Sequence, residues 1–160
     1  MTPPSAGHEP APGDSHGTFA PWVKRILVPI DFSAGSWSAL SHALPIAQLT
    51  GAKITLLYVS QAQLIATEFA HLPNQEFSIR HSSEEKLRAA AIGKIPPELL
   101  ADIVVRSGVA FDEIARAAEE WKMNLIVINT HGHTGLKHVW LGSTAERVVR
   151  YAPCPVLVIR

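Results

Sequence analysis

The stretch of this chain best equipped for chemistry is Gly132-His133-Thr134-Gly135-Leu136-Lys137-His138-Val139-Trp140-Leu141-Gly142-Ser143. An apolar run, Asn124 to Asn129, precedes it, and helix-forming sequence opens at Ser143. A glycine-rich loop that leads from a strand into a helix N-terminus is a physical device for holding an anion. Glycine lets the backbone come close and adopt φ > 0. The first N–H groups of a helix lack internal partners, and the helix dipole adds positive charge there. Phosphate suits such a cradle, which makes a nucleotide the expected ligand class. A plainer reading stands beside it: a long turn followed by a capped helix, because Ser143 and Glu146 are spaced as a capping box.

Other motifs narrow the chemistry. No Gly-Lys-Ser or Gly-Lys-Thr follows Gly132 at the distance a Walker A loop requires, and no Gly-x-Gly-x-x-Gly fingerprint occurs there. His131, His133 and His138 share the loop, but their spacing matches no strong zinc pattern and no cysteine lies nearby. They read as contacts to phosphate or water. Lys137 either neutralises a phosphate or is simply solvated. Cys154, between Pro153 and Pro155, reads as a core residue rather than a nucleophile. Asp31 ends an apolar strand and has two readings, a ligand contact or a cap for the next helix. A lone carboxylate beside phosphates is repelled by them unless a divalent cation intervenes. Mg²⁺, held by one or two carboxylates and phosphate oxygens, resolves that conflict.

The elements that must position these groups alternate. Strands are expected at Arg25 to Asp31, Lys53 to Val59, Asp102 to Arg106, Leu125 to Asn129 and Pro155 to Ile159. Their near-continuous apolar character marks strands covered on both faces. Helices are expected at about 36–50, 75–92, 111–122 and 144–151. The first carries Leu40, Ala43, Leu44, Ala47 and Leu49 near helical spacing, with Gly51 where a C′ glycine belongs and Pro45 expected to bend or shorten it. The third carries an inward stripe of Phe111, Ile114, Ala115, Ala118 and Trp121. Residues 60–75 give only a weak signal. Strict β-α alternation implies a parallel sheet with helices on both faces, and ligands beyond the strand C-termini where connections change direction.

Composition sets the frame. The 160 residues favour one domain, and with 47% hydrophobic residues it can bury a sizeable core. Residues 1–21 hold Pro3, Pro4, Pro10, Pro12 and Pro21 with few apolar side chains, and read as a disordered tail ahead of a domain over 22–160. Fourteen basic and fourteen acidic residues cancel, which argues against a nucleic-acid partner or a polybasic membrane anchor. A single cysteine permits no intrachain disulfide, and no signal-peptide or membrane-length apolar run occurs. The chain reads as soluble and cytoplasmic.

These residues together resemble the universal stress protein family, specifically its nucleotide-binding branch. Three segments carry the resemblance: Ile26-Leu27-Val28-Pro29-Ile30-Asp31-Phe32-Ser33, the Gly132 to Ser143 loop, and Ala145 to Ile159. The family pattern is Gly-x-x-Gly, nine residues, then Gly with Ser or Thr. Gly132, Gly142 and Ser143 match it, while Asn129 stands where the first glycine would be. The resemblance implies five parallel strands in the order 3-2-1-4-5, and ATP, ADP or AMP as ligand with Mg²⁺ near Asp31. It places Val59 and Val109 against the adenine ring and Pro29 and Ile30 along the cleft. Asn129, His131, Gly132, His133, Gly135, Gly142, Ser143 and Thr144 would surround the phosphates. It further implies a homodimer through Val156–Ile159 and a stress-response switch with at most slow hydrolysis. A non-nucleotide-binding relative acting through protein partners is the alternative.

Overall fold

A computed structural model describes residues 22–60, 73–130 and 142–160, excepting the side chains of 73–77 and 79. The tail 1–21, the weak segment 61–72 and loop residues 131–141 lie outside the described residues. The chain runs β1 (Arg25–Pro29), α1 (Ala34–Thr50), β2 (Lys53–Ser60), α2 (Pro73–Ala91), β3 (Leu100–Ser107), α3 (Ala110–Glu120), β4 (Leu125–Asn129), α4 (Ser143–Tyr151) and β5 (Val156–Ile159). All strand pairs are parallel, and the sheet order is β3-β2-β1-β4-β5, as the alternation and the resemblance imply.

The apolar strands dictate a two-sided core. Ile26, Leu27 and Val28 of β1 are fully buried, and successive side chains point to opposite faces. Ile26 and Val28 join Ile54 and Leu56 of β2 under α1 (Ala39, Leu40, Ala43, Ala47), with Leu87 of α2 in the same cluster. Leu27 joins Leu57 and Ile126 under α3 (Ile114, Ala117, Ala118) and α4 (Ala145, Val148). Helices α1 and α2 therefore cover one face and α3 and α4 the other. The central strands β1 and β4 lie side by side, with Ile26 opposite Leu125 and Leu27 opposite Ile126.

Several local expectations are corrected. Helix α1 starts at Ala34 rather than Ser36, because Ser33 is its N-cap and its hydroxyl accepts the Ser36 N–H at 3.1 Å. Pro45 does not shorten it. Pro45 and Ser41 are exposed, so the Ser41 carbonyl that loses its helical donor faces water, and the helix continues to Thr50. Gly51 takes the left-handed cap conformation at φ 67°. Leu49 is 87% exposed and lies outside the buried stripe, to which Ser36 and Ala39 belong instead. In α3, Ala117 is buried where Ala115 was expected. The capping box at the start of α4 does not form. Gly142 is the N-cap, no described side chain caps it, and Glu146 instead accepts from Arg150 at 2.9 Å one turn on. The cause is upstream: the Gly142 N–H donates to the Thr130 carbonyl at 2.7 Å, which fixes the chain's entry into α4 one residue early.

Candidate functional site

Parallel strands bring their C-terminal ends to one edge of the sheet. That edge collects Pro29, Ile30 and Asp31 after β1, Val59 and Ser60 of β2, Gly108 and Val109 after β3, Asn129 and Thr130 at β4, and Gly142 to Thr144 at the start of α4. The chain leaves β1 and β4 in opposite directions across the sheet, so the β1/β4 junction is the switch point at which open α/β sheets bind ligands.

The β4 side is a tethered gateway. Thr130 is buried; its N–H donates to the Ile159 carbonyl at 2.8 Å and its carbonyl accepts from Gly142. Asn129 ends β4 in register with Ile159 and is half-buried. Among the described residues no side chain caps the start of α4, and its first backbone bond runs from the Glu146 N–H to the Gly142 carbonyl at 2.9 Å. The amides of Ser143, Thr144 and Ala145 precede that first bond. They form the positive end of the helix, with Ser143 exposed and Thr144 half-buried. His131, Gly132, His133 and Gly135 lie outside the described residues, as do Lys137 and His138.

On the β1 side, Asp31 fills the turn into α1. Its Oδ1 accepts the Ser33 N–H at 3.0 Å and the Ser33 hydroxyl at 2.5 Å. The Asp31 N–H donates to the Ser36 hydroxyl at 3.3 Å, and that hydroxyl donates to the Ser33 carbonyl at 3.0 Å. Asp31 thus holds up the cap of α1 from within, while its half-buried side chain stays at the C-terminal edge of the sheet. Ile30 needs a correction. Its side chain is 2% exposed and belongs to the core under α1, so only its backbone reaches the edge, and its N–H is spent on the Leu57 carbonyl at 2.8 Å. Pro29 remains half-buried at the end of β1. Val59 is half-buried and Val109 is 41% exposed, so both retain surface for an apolar ligand.

Two features were not legible in the sequence. Phe32 adopts φ 66°, a left-handed conformation that costs an L-residue with a side chain roughly 1–2 kcal/mol. Its ring lies 5.0 Å from that of Tyr58, and the Lys86 ammonium sits 4.6 Å above it. No local pattern distinguishes such a phenylalanine from an ordinary core residue. The second is an ion-pair cluster behind Val109. Arg106 bonds Glu113 and Glu120 and lies 4.5 Å over the Trp121 ring. The hydrogen bond from Arg106 holds the Glu120 carboxyl below its usual range. Any stability this exposed carboxylate adds is present above the ordinary glutamate pKa and fades as pH falls. The signal is absent from sequence because the partners come from a strand and a helix that only the fold brings together.

Among the described residues no group of three or more His, Cys, Asp and Glu side chains is arranged to hold a metal. Asp31 alone fits Mg²⁺ only if phosphate oxygens complete the coordination. Among the described residues, too, no helix is long and apolar enough to cross a membrane. Cys154 is partly buried against the α3/α4 cluster, and desolvation pushes its thiol above the ordinary value. The thiolate is the reactive form. At about pH 8, iodoacetamide is therefore expected to alkylate native Cys154 on the order of tenfold more slowly than the urea-unfolded chain. Equal rates, followed by mass spectrometry, would contradict this placement.

The fold is a parallel α/β sheet covered on both faces, with the start of α4 at the β1/β4 switch point. The family model described as the universal stress protein family matches residues 23–160. The chain is 36% identical over 149 residues to universal stress protein MJ0531 of Methanocaldococcus jannaschii, covering 86% of this chain and 82% of that one. It is 30% identical over 154 residues to universal stress protein MJ0577 of the same organism. The solved structure of MJ0577 superposes with a TM-score of 0.75 at 26% identity, covering 86% of this chain and 96% of that one. A universal stress protein solved in complex with cAMP shares the fold at TM-score 0.54 and 21% identity, covering 86% and 97%. The chain belongs to the universal stress protein family.

Proposed function

We propose that this chain is a stress-response protein that binds ATP or a related adenine nucleotide at the β1/β4 edge and acts as a binding switch, with at most slow hydrolysis. The observation that carries the reading is the uncapped start of α4, tied to β4 through Gly142 and Thr130, beside the Asp31 turn. In this reading the Ser143 and Thr144 amides and the loop residues Asn129, His131, Gly132, His133, Gly135 and Gly142 hold the phosphates. Asp31 meets the ribose or a phosphate-borne Mg²⁺. Val59 and Val109 flank the base, and Pro29 and the Ile30 backbone floor the cleft. The fold accommodates a ligand of this class, as the cAMP complex of the family member just described illustrates.

Calorimetric titration of nucleotide-free protein with ATP and Mg²⁺ tests the proposal. Saturable binding with one site per chain is the expected result; no heat at millimolar nucleotide overturns it. One observation favours a second reading. Asn129 places a side chain where the nucleotide-binding pattern has glycine, and a closed site would leave a protein acting through protein partners. Mutation of Asn129 to glycine would then create binding that the parent lacks.

The same proposal includes a two-fold dimer through β5 in the cytoplasm. Strand β5 is a sheet edge among the described residues, with Leu157 36% and Tyr151 59% exposed beside it. Sedimentation should give twice the 17.4 kDa chain mass, falling to a single chain mass on Leu157→Glu.

A further inference from the structure

One side chain at the ligand edge is placed in a way its own helix does not require. An acidic residue in the first turn of a helix is served by the dipole while remaining in water. Asp112 does this, with its side chain 54% exposed. Glu113, the next residue, is turned inward and only 13% exposed.

Its side chain reaches back to the turn between β3 and α3 and also along α3 to Arg116. The Glu113 N–H donates to the Val109 carbonyl at 3.0 Å. Its Oε2 lies 3.5 Å from Nη1 of Arg106, itself 17% exposed, and its Oε1 accepts from Arg116 at 3.1 Å. Gly108 sits between those anchor points at φ 147°, a conformation that only glycine adopts readily. A Cβ at Gly108 would stand 3.0 Å from the Glu113 Cγ, so the glutamate stem lies directly over the glycine. Arg106 faces Val59 in the β2–β3 ladder, and the Gly108 N–H donates to the Ser60 carbonyl at 3.0 Å. The Glu113 side chain thereby touches Arg106 before the turn and the glycine within it, and Val109 follows that glycine directly, its carbonyl taking the first backbone bond of α3.

Glycine has no preference of its own for such a backbone, so something outside must hold it. We infer that Glu113 is a positioning residue: by gripping Arg106 and closing over Gly108 it fixes the Val109 wall, and with it the grip on the nucleotide base. The base-wall part of this inference rests on the nucleotide reading above; the turn-holding part does not.

The test uses the full chain with Glu113→Ala and Glu113→Gln. Hydrogen exchange of the Gly108 amide is expected to accelerate about tenfold in Glu113→Ala, the scale of one lost charged hydrogen bond, while the Val28 amide in β1 holds its rate. Affinity for ATP is expected to fall about tenfold, while affinity for inorganic tripolyphosphate, which has no base, stays put. Glu113→Gln keeps the stem and an acceptor and should restore most of both. If the alanine variant fails to fold, Glu113→Asp carries the test: its stem is one methylene shorter and withdraws from Gly108, so Gly108 exchange is expected to accelerate severalfold, and an unchanged rate overturns the assignment. Unchanged Gly108 exchange, or equal losses for ATP and tripolyphosphate, would overturn the assignment. A parent that binds neither ligand defeats the nucleotide reading and the base-wall role with it, while Gly108 exchange still decides whether Glu113 holds the turn.

Discussion

Asp31→Ala is expected to weaken Mg²⁺–ATP binding about 10- to 100-fold, the equivalent of one hydrogen bond to a charged group. The same change removes the Oδ1 acceptor of the Ser33 N–H and hydroxyl, so a loss of about 1–2 kcal/mol in stability should accompany it. Asp31→Asn separates the two effects. An asparagine keeps the acceptor and the turn but discards the charge. Its melting temperature should stay close to that of the parent. Its affinity for ATP in EDTA should hold or rise, because repulsion of the phosphates is relieved, while its affinity with Mg²⁺ should fall. An asparagine variant with unaltered Mg²⁺ dependence would confine Asp31 to supporting the start of α1.

Ile126→Ala is expected to be the most damaging single truncation for stability, at about 2–5 kcal/mol. Ile126, the second residue of β4, is fully buried, opposite Leu27 on one side and Val156 on the other, beneath α3 and α4. Packing on every side leaves little room for the site to collapse. At roughly 2–4 °C per kcal/mol for a domain near this size, the midpoint should drop by about 5–20 °C. Leu49→Ala serves as the control. Leu49 is 87% exposed, so its truncation should fall within about 0.5 kcal/mol of the parent. A large effect at Leu49 would mean that this surface is covered in solution.

That pair of leucine and isoleucine also shows what a sequence can disclose. Strands such as Ile26-Leu27-Val28 are apolar at every position, which leaves only a sheet covered on both faces, and alternation with helices then dictates parallel order. Leu49 failed on angle: at about 100° per residue it lies roughly 180° round the helix from Leu40 and about 200° from Ala47, on the face turned to solvent. Ser143 and Glu146 have the right types and separation for a capping box. Yet the long-range bond from Gly142 to Thr130 sets the helix start, and Arg150 takes the glutamate. Asp31 has two readings in the sequence, a ligand contact or a helix cap; the turn gives the cap itself to Ser33 and makes Asp31 its support. Arg106 near the end of β3 and Glu113 at the start of α3 are legible in the sequence, but their meeting over Gly108 is not, because strand and helix are brought together only by the fold and no periodicity records it.

The bond between Gly142 and Thr130 has a consequence for how this protein can change over time. Residues 131–141 depart from and return to points already joined by the scaffold, so the closure of that excursion is secured outside it. Doubling the length of such an excursion adds only about 0.6 kcal/mol of entropic cost. Changes between 131 and 141 therefore leave the join of α4 to β4 to the scaffold, and the five strands beneath should keep their stability when that stretch is altered.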